Sequence, residues 1–183
     1  KYRKGGNGLK RKKKFIQTDP YEIFDKKRKE MLKDLENQTG IEPKVKNDTC
    51  LNMEKYSIPS IDISIFSPPY ANCFDPFEVY KIELWVGEFV TSYEQLRHKR
   101  KTAITSNLNA NVTKNVSEQH KTELLDNILN YLSGKELWDK KIVKMLNVYF
   151  NDMLLVLQKI YKNTQKGGYC VIVVGNSAYG NLA

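Results

Sequence analysis

A short segment of serine, two prolines and tyrosine, Ser67-Pro68-Pro69-Tyr70, follows an apolar run at residues 61–66. The prolines fix two backbone φ angles and keep the segment from relaxing. The Ser67 side-chain oxygen and the Pro68 carbonyl can therefore accept hydrogen bonds from fixed positions. The Tyr70 ring offers a flat face for stacking. Together these groups predict a site that holds a planar ring bearing an amino group.

Such a site suits chemistry on the exocyclic amino group of cytosine or adenine. The lone pair of that nitrogen is delocalised into the ring, which makes it a poor nucleophile. Hydrogen bonds to two fixed acceptors favour a pyramidal nitrogen and aim its lone pair at an incoming methyl group. In-line displacement from a sulfonium depends on positioning more than on a strong base, so neither His98 nor His120 is required. A proline-rich turn that simply ends a strand is the alternative reading of the segment.

The composition favours one domain with a polyanionic partner. The chain has 183 residues and 40% hydrophobic content, enough for one substantial core. Lys and Arg outnumber Asp and Glu by 30 to 21, and the net charge of +9 favours nucleic acid over membrane. The three cysteines form no CxxC motif, which argues against a disulfide framework or a zinc site and favours a reducing, cytoplasmic location. The apolar runs are too short to span a bilayer.

The two ends of the sequence are unusual. The chain begins with Lys1 rather than Met and stops shortly after a predicted strand, so we expect a cut piece of a longer protein. Eight of the first 14 residues are Lys or Arg and three are Gly. This composition is typical of a flexible basic arm, to which we assign residues 1–18. A solvated tail is nearly as consistent with it as an arm that meets nucleic-acid phosphates.

Three capping patterns predict where helices begin. Asp19-Pro20-Tyr21-Glu22 starts a helix that runs to about residue 37. Asp75-Pro76-Phe77-Glu78 starts a second, and Thr91-Ser92-Tyr93-Glu94 opens a basic helix that extends to residue 101. The apolar stripe of the second helix comprises Ile82, Trp85, Val86 and Phe89.

Two strands separated by long helices predict an α/β fold with a mostly parallel sheet. The strands, residues 61–66 and 169–174, are mostly apolar and β-branched, as in strands buried on both faces. Between them lie an Asn-rich loop at residues 105–117, a short amphipathic helix around residues 124–132 and a longer helix capped by Ser133-x-x-Glu136. The apolar face of the longer helix comprises Trp138, Ile142, Met145, Tyr149, Met153, Val156 and Ile160. Gly167-Gly168 breaks the helical pattern ahead of the second strand.

Three blocks of this sequence together resemble the S-adenosylmethionine-dependent DNA amino-methyltransferases. Asp48-Thr49 and residues 60–70 resemble the part of that family that joins the cofactor side to the catalytic loop. Residues 71–75 and 80–85 resemble the helix after that loop in a bacterial DNA-modification subgroup, and residues 167–179 resemble a later strand and loop of the same subgroup. The resemblance covers about residues 47–84 and 166–180. It implies a Rossmann-like fold, incomplete in this chain.

The resemblance also implies roles for individual residues. The catalytic loop, which would bind and activate an extruded DNA base, comprises Ser67, Pro68, Pro69 and Tyr70. Asp48 and Thr49 would lie near the adenine of S-adenosylmethionine, although Asp48 also suits a turn. Substrate contacts are expected from Asn72, Asp75 and Asn176. Asp75 is at least as well suited to a helix N-cap, and Asn176 to a turn. A serine first in the loop is commoner among enzymes that act on cytosine than among those that act on adenine.

DNA is the partner that the resemblance implies, with a restriction-modification subunit as a further candidate and no membrane. Phosphate contacts are expected from the basic arm and the basic helix, at Lys10, Arg11, Lys12, Lys13, Lys14, Arg97 and Arg100. Residues 19–183 would form a partial methyltransferase catalytic domain in which residues 90–135 are a helical or loop insertion. The Asn-rich loop suits either target recognition or a plain linker.

One feature of the family is absent from this sequence. The glycine-containing cofactor loop, an aromatic-x-Gly-x-Gly pattern, does not occur, and Gly5-Gly6-Asn7-Gly8 lies among lysines with no strand before it. Cofactor binding by this chain alone is therefore an open question. Two alternatives to DNA methylation also stay open. One is a methyltransferase that acts on RNA bases or protein amides, and the other is a non-catalytic nucleic-acid-binding module on the same scaffold.

Overall fold

The computed structural model describes residues 19–36, 40, 42–114 and 122–181. The chain divides into two compact units, residues 1–46 and residues 47–183. The predicted basic arm, with its phosphate-binding candidates Lys10 to Lys14, lies outside the described residues, as does the end of the Asn-rich loop. None of the described helices is long and apolar enough to cross a bilayer.

The first unit contains one described helix, α1 (Pro20–Leu35). The Asp19 side chain caps it by accepting a hydrogen bond of 2.9 Å from the Tyr21 backbone N–H, and Pro20 occupies the first turn. Ion pairs from Asp25 to Arg28 and Lys29 span successive turns. The predicted helix start is confirmed, and the helix ends about two residues earlier than predicted.

The second unit is an α/β arrangement. Its elements, in chain order, are a 3₁₀ helix (Cys50–Lys55), β1 (Ile61–Phe66), α2 (Pro76–Val79), α3 (Lys81–Val86), α4 (Tyr93–Thr102), α5 (Glu123–Ser133), α6 (Lys141–Asn163) and β2 (Thr164–Ile172). β1 and β2 pair in parallel, and the register runs from Ile63 opposite Tyr169 to Phe66 opposite Ile172. The α/β class and the parallel direction of the strands are therefore confirmed.

The second strand begins earlier than the sequence predicts. β2 starts at Thr164 and includes the glycine pair, which we had placed before the strand. Gly167 has a φ of +86°, which permits an irregularity in the register between Ile61 and Ile63 of β1. A Cβ at Gly168 would lie 2.9 Å from the Asp62 carbonyl oxygen. The glycines therefore shape a bulge within the strand rather than ending the helix before it.

The expectation that both strands are buried on both faces is wrong for this structure. Ile63, Ile65 and Val171 are 53%, 68% and 44% exposed. Within the described residues each strand has only one partner strand, so much of the sheet surface has no packing neighbour. The described residues therefore leave much of the apolar side-chain surface of these strands uncovered.

The core lies between α6 and the elements that pack on it. The helix buries one face, with Ile142 and Met145 fully inaccessible, and Leu132 of α5 and Ala71 join the same cluster. Burial of each large aliphatic side chain contributes about 1.5–3 kcal/mol. The predicted apolar face of α6 is confirmed except at Trp138, which precedes the helix and is 70% exposed.

The predicted cap of α6 is also wrong. Ser133 ends α5, and its hydroxyl donates to the Leu129 carbonyl at 2.8 Å. The long helix begins only at Lys141, whose backbone N–H donates to the Asp139 carboxylate at 2.7 Å. An aspartate closer to the helix start thus takes the role that the sequence pattern gave to Ser133.

The segment after the loop Ser67-Pro68-Pro69-Tyr70 differs from prediction in two details. The predicted single helix divides at Tyr80 into α2 and α3, and its apolar stripe is largely exposed at Ile82, Val86 and Phe89. The cap of α4 is Ser92, whose Oγ accepts from the Gln95 N–H at 3.2 Å, rather than Thr91. The basic helix itself is confirmed.

Candidate active site

The loop Ser67-Pro68-Pro69-Tyr70 leaves β1 at its carboxyl end, beside the continuation of β2. The Val173 N–H donates to the Phe66 carbonyl at 3.0 Å, and the Ser67 hydroxyl donates to the Val173 carbonyl at 2.9 Å. Ser67 Oγ also lies 3.5 Å from Tyr70 Oη. Because the Ser67 hydrogen is directed to Val173, the lone pairs of the serine oxygen remain available to another donor. Open parallel sheets commonly bind ligands at this edge.

Tyr70 lines a cavity of about 370 Å³ that we call the aromatic cavity. Its ring packs against Gly175, where an added Cβ would lie 3.4 Å from Tyr70 Cε2. The lining residues are Tyr70, Ala71, Ile128, Leu132, Leu146, Tyr149, Phe150, Val174, Gly175, Asn176, Ser177 and Tyr179. The structure thus brings Asn176, a predicted substrate residue, into the same cavity wall as Tyr70, 106 positions earlier in the chain.

A second cavity, of about 480 Å³, is lined by Pro69 of the same loop, and we call it the Asp48 cavity. Its lining residues are Asn47, Asp48, Thr49, Cys50, Pro69, Pro76, Phe77, His98, Lys99, Thr102, Ala103, Ile104, Ser106 and Asn107. Both predicted cofactor residues, Asp48 and Thr49, therefore share a cavity with Pro69 of the loop. The neighbouring residues Pro69 and Tyr70 contribute to two different cavities.

Asp48 organises the turn before the 3₁₀ helix. Its Oδ1 accepts from the Thr49 N–H at 2.7 Å and from Asn52 Nδ2 at 2.9 Å, and its Oδ2 accepts from the Tyr56 hydroxyl at 2.7 Å. The bond from Tyr56, followed by those from Asn52 and Thr49, lowers the pKa of Asp48 to about 2. The carboxylate at this wall of the cavity is therefore ionised at neutral pH. Thr49 caps the 3₁₀ helix through its hydroxyl.

Asp75 and Arg100, which the sequence assigned to substrate and DNA, are paired with each other. Asp75 Oδ1 caps α2 by accepting from the Phe77 N–H at 3.0 Å. Its Oδ2 lies 3.1 Å from Arg100 Nε and accepts from Asn109 Nδ2 at 2.8 Å. Arg100 also pairs with Glu78. Asp75 therefore acts as the helix N-cap that we gave as the alternative to a substrate contact.

Two other predicted residues are exposed. Arg97 lies on α4, and the Asn72 side chain accepts from the Phe74 N–H at 3.0 Å in the turn after Tyr70. Neither residue belongs to the described lining of the two cavities. Among the described residues no group of three or more His, Cys, Asp or Glu side chains is placed to hold a metal ion.

Tyr179 is a residue of this region whose role sequence reasoning missed. Its hydroxyl donates to the Ala71 carbonyl at 2.8 Å and lies 3.3 Å from Cys73 Sγ. Burial raises the pKa of Tyr179, which keeps the hydroxyl protonated. Cys73 has a φ of +61°, so the turn after Tyr70 has a conformation that few side chains favour. The signal in the sequence was an aromatic residue shortly after Gly175-Asn176-Ser177.

Comparison with curated proteins relates this chain to two methyltransferases. The chain is 30% identical over 148 residues to the type II methyltransferase M.AvaI of Nostoc sp. (strain PCC 7120 / SAG 25.82 / UTEX 2576) and, to the same extent, to the type II methyltransferase M.AvaI of Anabaena variabilis. No family model matches the chain, and no solved structure matches it. The match covers 74% of this chain but only 30% of each relative's length. This chain is therefore similar to a part of two type II methyltransferases.

Proposed function

We propose that this chain is the catalytic part of an S-adenosylmethionine-dependent DNA amino-methyltransferase with a Rossmann-like fold. It would transfer a methyl group to the exocyclic amino group of a DNA base, cytosine in preference to adenine. One observation carries the proposal: consecutive loop residues, Pro69 and Tyr70, line two separate cavities. The similarity to two type II methyltransferases supports it independently.

Methyl transfer needs a donor site and an acceptor site that meet at one loop. The two groups must approach along one line, and most of the catalytic gain comes from holding them there. The volumes of about 370 and 480 Å³ lie within the range of small-molecule sites, roughly 300–1,000 Å³. We assign the base to the aromatic cavity and the cofactor to the Asp48 cavity.

The residues of the Asp48 cavity fit S-adenosylmethionine. Pro69, Pro76 and Phe77 provide apolar surface for a planar ring, and Asp48 provides an ionised acceptor at one wall. When bound, S-adenosylmethionine supplies an electrophilic methyl group on a sulfonium. The residues of this chain hold, orient and shield the two reactants.

Ser67 lies outside the described lining of both cavities, and we propose that its oxygen, at the end of β1 beside Tyr70, accepts a hydrogen bond from the base. Since its own hydrogen goes to Val173, its oxygen can receive a hydrogen from the base amino group. The Pro68 carbonyl would receive the second. Tyr70, 38% exposed and packed on Gly175, would stack on the base. Ser67, the Pro68 carbonyl and Tyr70 would hold the amino nitrogen in line with the methyl group that S-adenosylmethionine would supply, and the released amino proton would pass to solvent.

DNA contacts outside the two cavities form part of the same proposal. Arg97 is exposed on α4, whereas Arg100 is held by Asp75 and would contact phosphate only by leaving that pair. The basic residues Lys10 to Lys14 would add phosphate contacts. A restriction partner subunit and a cytoplasmic location complete the proposed setting.

Transfer of radiolabelled methyl groups by the full-length protein tests this function. Duplex DNA should accept label, and digestion to nucleosides should place it on the cytosine 4-amino group. Ser67→Ala should lower the rate by about a hundredfold, comparable to loss of one preorganised catalytic hydrogen bond. Ser133→Ala removes a hydroxyl that bonds Leu129 in α5 and serves as the matched control.

Parallel reactions with RNA and with protein separate the alternatives. If RNA or protein accepts the label and DNA does not, DNA is not the substrate, and the alternative methyltransferase activity is the correct one. If Ser67→Ala leaves both DNA binding and the methyl-transfer rate of the full-length protein unchanged, this chain is not the part that catalyses the transfer. That result would favour a non-catalytic nucleic-acid-binding module and refute the assigned chemistry.

A further inference from the structure

The Asn-rich segment after α4 contains three consecutive polar residues that are almost completely buried. Thr105, Ser106 and Asn107 are 0%, 1% and 2% exposed. Runs of polar residues usually lie at the surface, and those that are buried generally have hydrogen-bond partners. This segment is therefore neither a plain linker nor an exposed recognition loop at these positions.

The backbone of this segment is anchored from two directions. The Thr105 N–H donates to Asp152 Oδ2 at 3.0 Å, and Asp152 is a buried residue of α6 that also pairs with Lys114. The Cys73 N–H donates to the Ser106 carbonyl at 3.2 Å. Both α6 and the turn after Tyr70 therefore fix where residues 105–107 lie.

Asn107 uses only part of its side chain for this local structure. Its Oδ1 accepts from the N–H groups of Asn109 at 2.9 Å and Ala110 at 3.1 Å. Among the described residues, Asn107 Nδ2 and Ser106 Oγ have no hydrogen-bond partner. Both residues line the Asp48 cavity. Neither atom is among the fully enclosed side-chain atoms of the described residues that lack a partner, so both polar groups remain available to whatever occupies that cavity.

We infer that Ser106 and Asn107 are ligand-binding residues of the Asp48 cavity and that they hydrogen-bond the adenosyl half of the cofactor. This inference rests on the proposed function. The cavity combines an acceptor, the Asp48 carboxylate, with a donor, the Asn107 amide, and with apolar surface from Phe77. An adenosyl group has an amino group, acceptor nitrogens, hydroxyls and a flat ring, which match those three features.

Calorimetric titration of the full-length protein with S-adenosylhomocysteine tests the inference. Asn107→Asp keeps an oxygen for the Asn109 and Ala110 N–H groups but replaces the amide donor with a charged acceptor. We expect the dissociation constant to rise at least tenfold. Ser106→Ala removes a single oxygen and should raise it about three- to tenfold. Asn111→Asp makes the same change in the same loop outside the described cavity lining and should bind as the wild type does.

Adenosine serves as a second probe in the same titrations. If the contacts are to the adenosyl half, both variants should weaken adenosine binding by the same factors. Unchanged adenosine binding would overturn the assignment to that half of the cofactor. Thermal unfolding of each variant shows whether the fold persists, and if Asn107→Asp does not fold, Ser106→Ala decides.

The outcomes distinguish this inference from the proposed function. Wild-type affinity in folded Ser106→Ala and Asn107→Asp would overturn the inference, while methyl transfer by the wild type would leave the function standing. A wild-type protein that neither binds S-adenosylhomocysteine nor transfers methyl groups would overturn both.

Discussion

Removal of the Tyr179 hydroxyl should destabilise the turn that follows the loop Ser67-Pro68-Pro69-Tyr70. In Tyr179→Phe the ring remains, but the Ala71 carbonyl loses the donor that lies 2.8 Å away. Ala71 is 9% exposed, so water has little access to the freed carbonyl. The contact between Tyr179 Oη and Cys73 Sγ is lost as well. Both lost contacts belong to the backbone immediately after Tyr70.

The loss of stability depends on how deeply the Ala71 carbonyl oxygen, which loses its hydrogen-bond donor, is buried. A buried polar group left without a partner costs about 1–3 kcal/mol. The partial access of Ala71 favours the lower half of that range, about 1–2 kcal/mol. For a chain of this size each kcal/mol corresponds to roughly 2–4 °C in melting temperature. We therefore expect Tyr179→Phe to lower the melting temperature by roughly 2–8 °C in thermal unfolding followed by circular dichroism.

Tyr131→Phe provides the matched control. The Tyr131 hydroxyl also donates to a backbone carbonyl, that of Gly180, at 3.3 Å. Tyr131 is 42% exposed, so water can replace its hydrogen bond, and the change should cost less than about 0.5 kcal/mol. Equal melting temperatures for the two variants would refute the reasoning, because they would show that burial of the Ala71 carbonyl does not set the cost.

Two further predictions concern Asp48 at the wall of the Asp48 cavity and Gly168 within β2. Hydrogen bonds lower the pKa of Asp48 to about 2, so the stability that its carboxylate adds is complete above its unfolded pKa of about 4 and is lost as the pH falls through 2. The urea midpoint of the wild type should therefore exceed that of Asp48→Asn at pH 6, and the difference between the two midpoints should shrink as the pH falls to 2. A difference as large at pH 2 as at pH 6 would contradict the assigned cause. Gly168→Ala should lower the free energy of unfolding by about 1–3 kcal/mol in urea titration, since the new Cβ would meet the Asp62 carbonyl at 2.9 Å. In the control Gly134→Ala, the nearest atom to the new Cβ would be 3.6 Å away. The free energy of unfolding should therefore change by less than about 0.5 kcal/mol.

Local chemistry predicted the elements better than it predicted their surroundings. Asp19 and Asp75 cap helices where the sequence places them, and the two strands pair in parallel as expected. Capping depends on a few neighbouring residues, so a single sequence is enough to find it. The Ser133 cap failed because Asp139 lies nearer to the point where α6 can begin.

The two cavities could not be predicted because they depend on contacts between distant parts of the chain. Ser67 bonds to Val173, and Tyr179 bonds to Ala71, across more than 100 intervening positions. The burial of Thr105 depends on Asp152, 47 positions away. An Asn-rich segment reads as an exposed loop unless the buried carboxylate that anchors it is known. The motif therefore identified the loop, and only the fold shows that two consecutive residues of the loop line different cavities.

Helix α6 provides a second link between the two cavities, besides the loop that contains Pro69 and Tyr70. Tyr149 and Phe150 line the aromatic cavity, and Asp152, less than one turn further along, holds the segment that forms a wall of the Asp48 cavity. Helical geometry fixes the rise between these positions at about 1.5 Å per residue. A packed helix is much stiffer than a loop, so a change on the buried face of α6 should shift both cavities together. If the two cavities hold donor and acceptor, the spacing between the reactants is then a property of α6 and its core, while Ser67 and Tyr70 determine how the acceptor is oriented within that spacing.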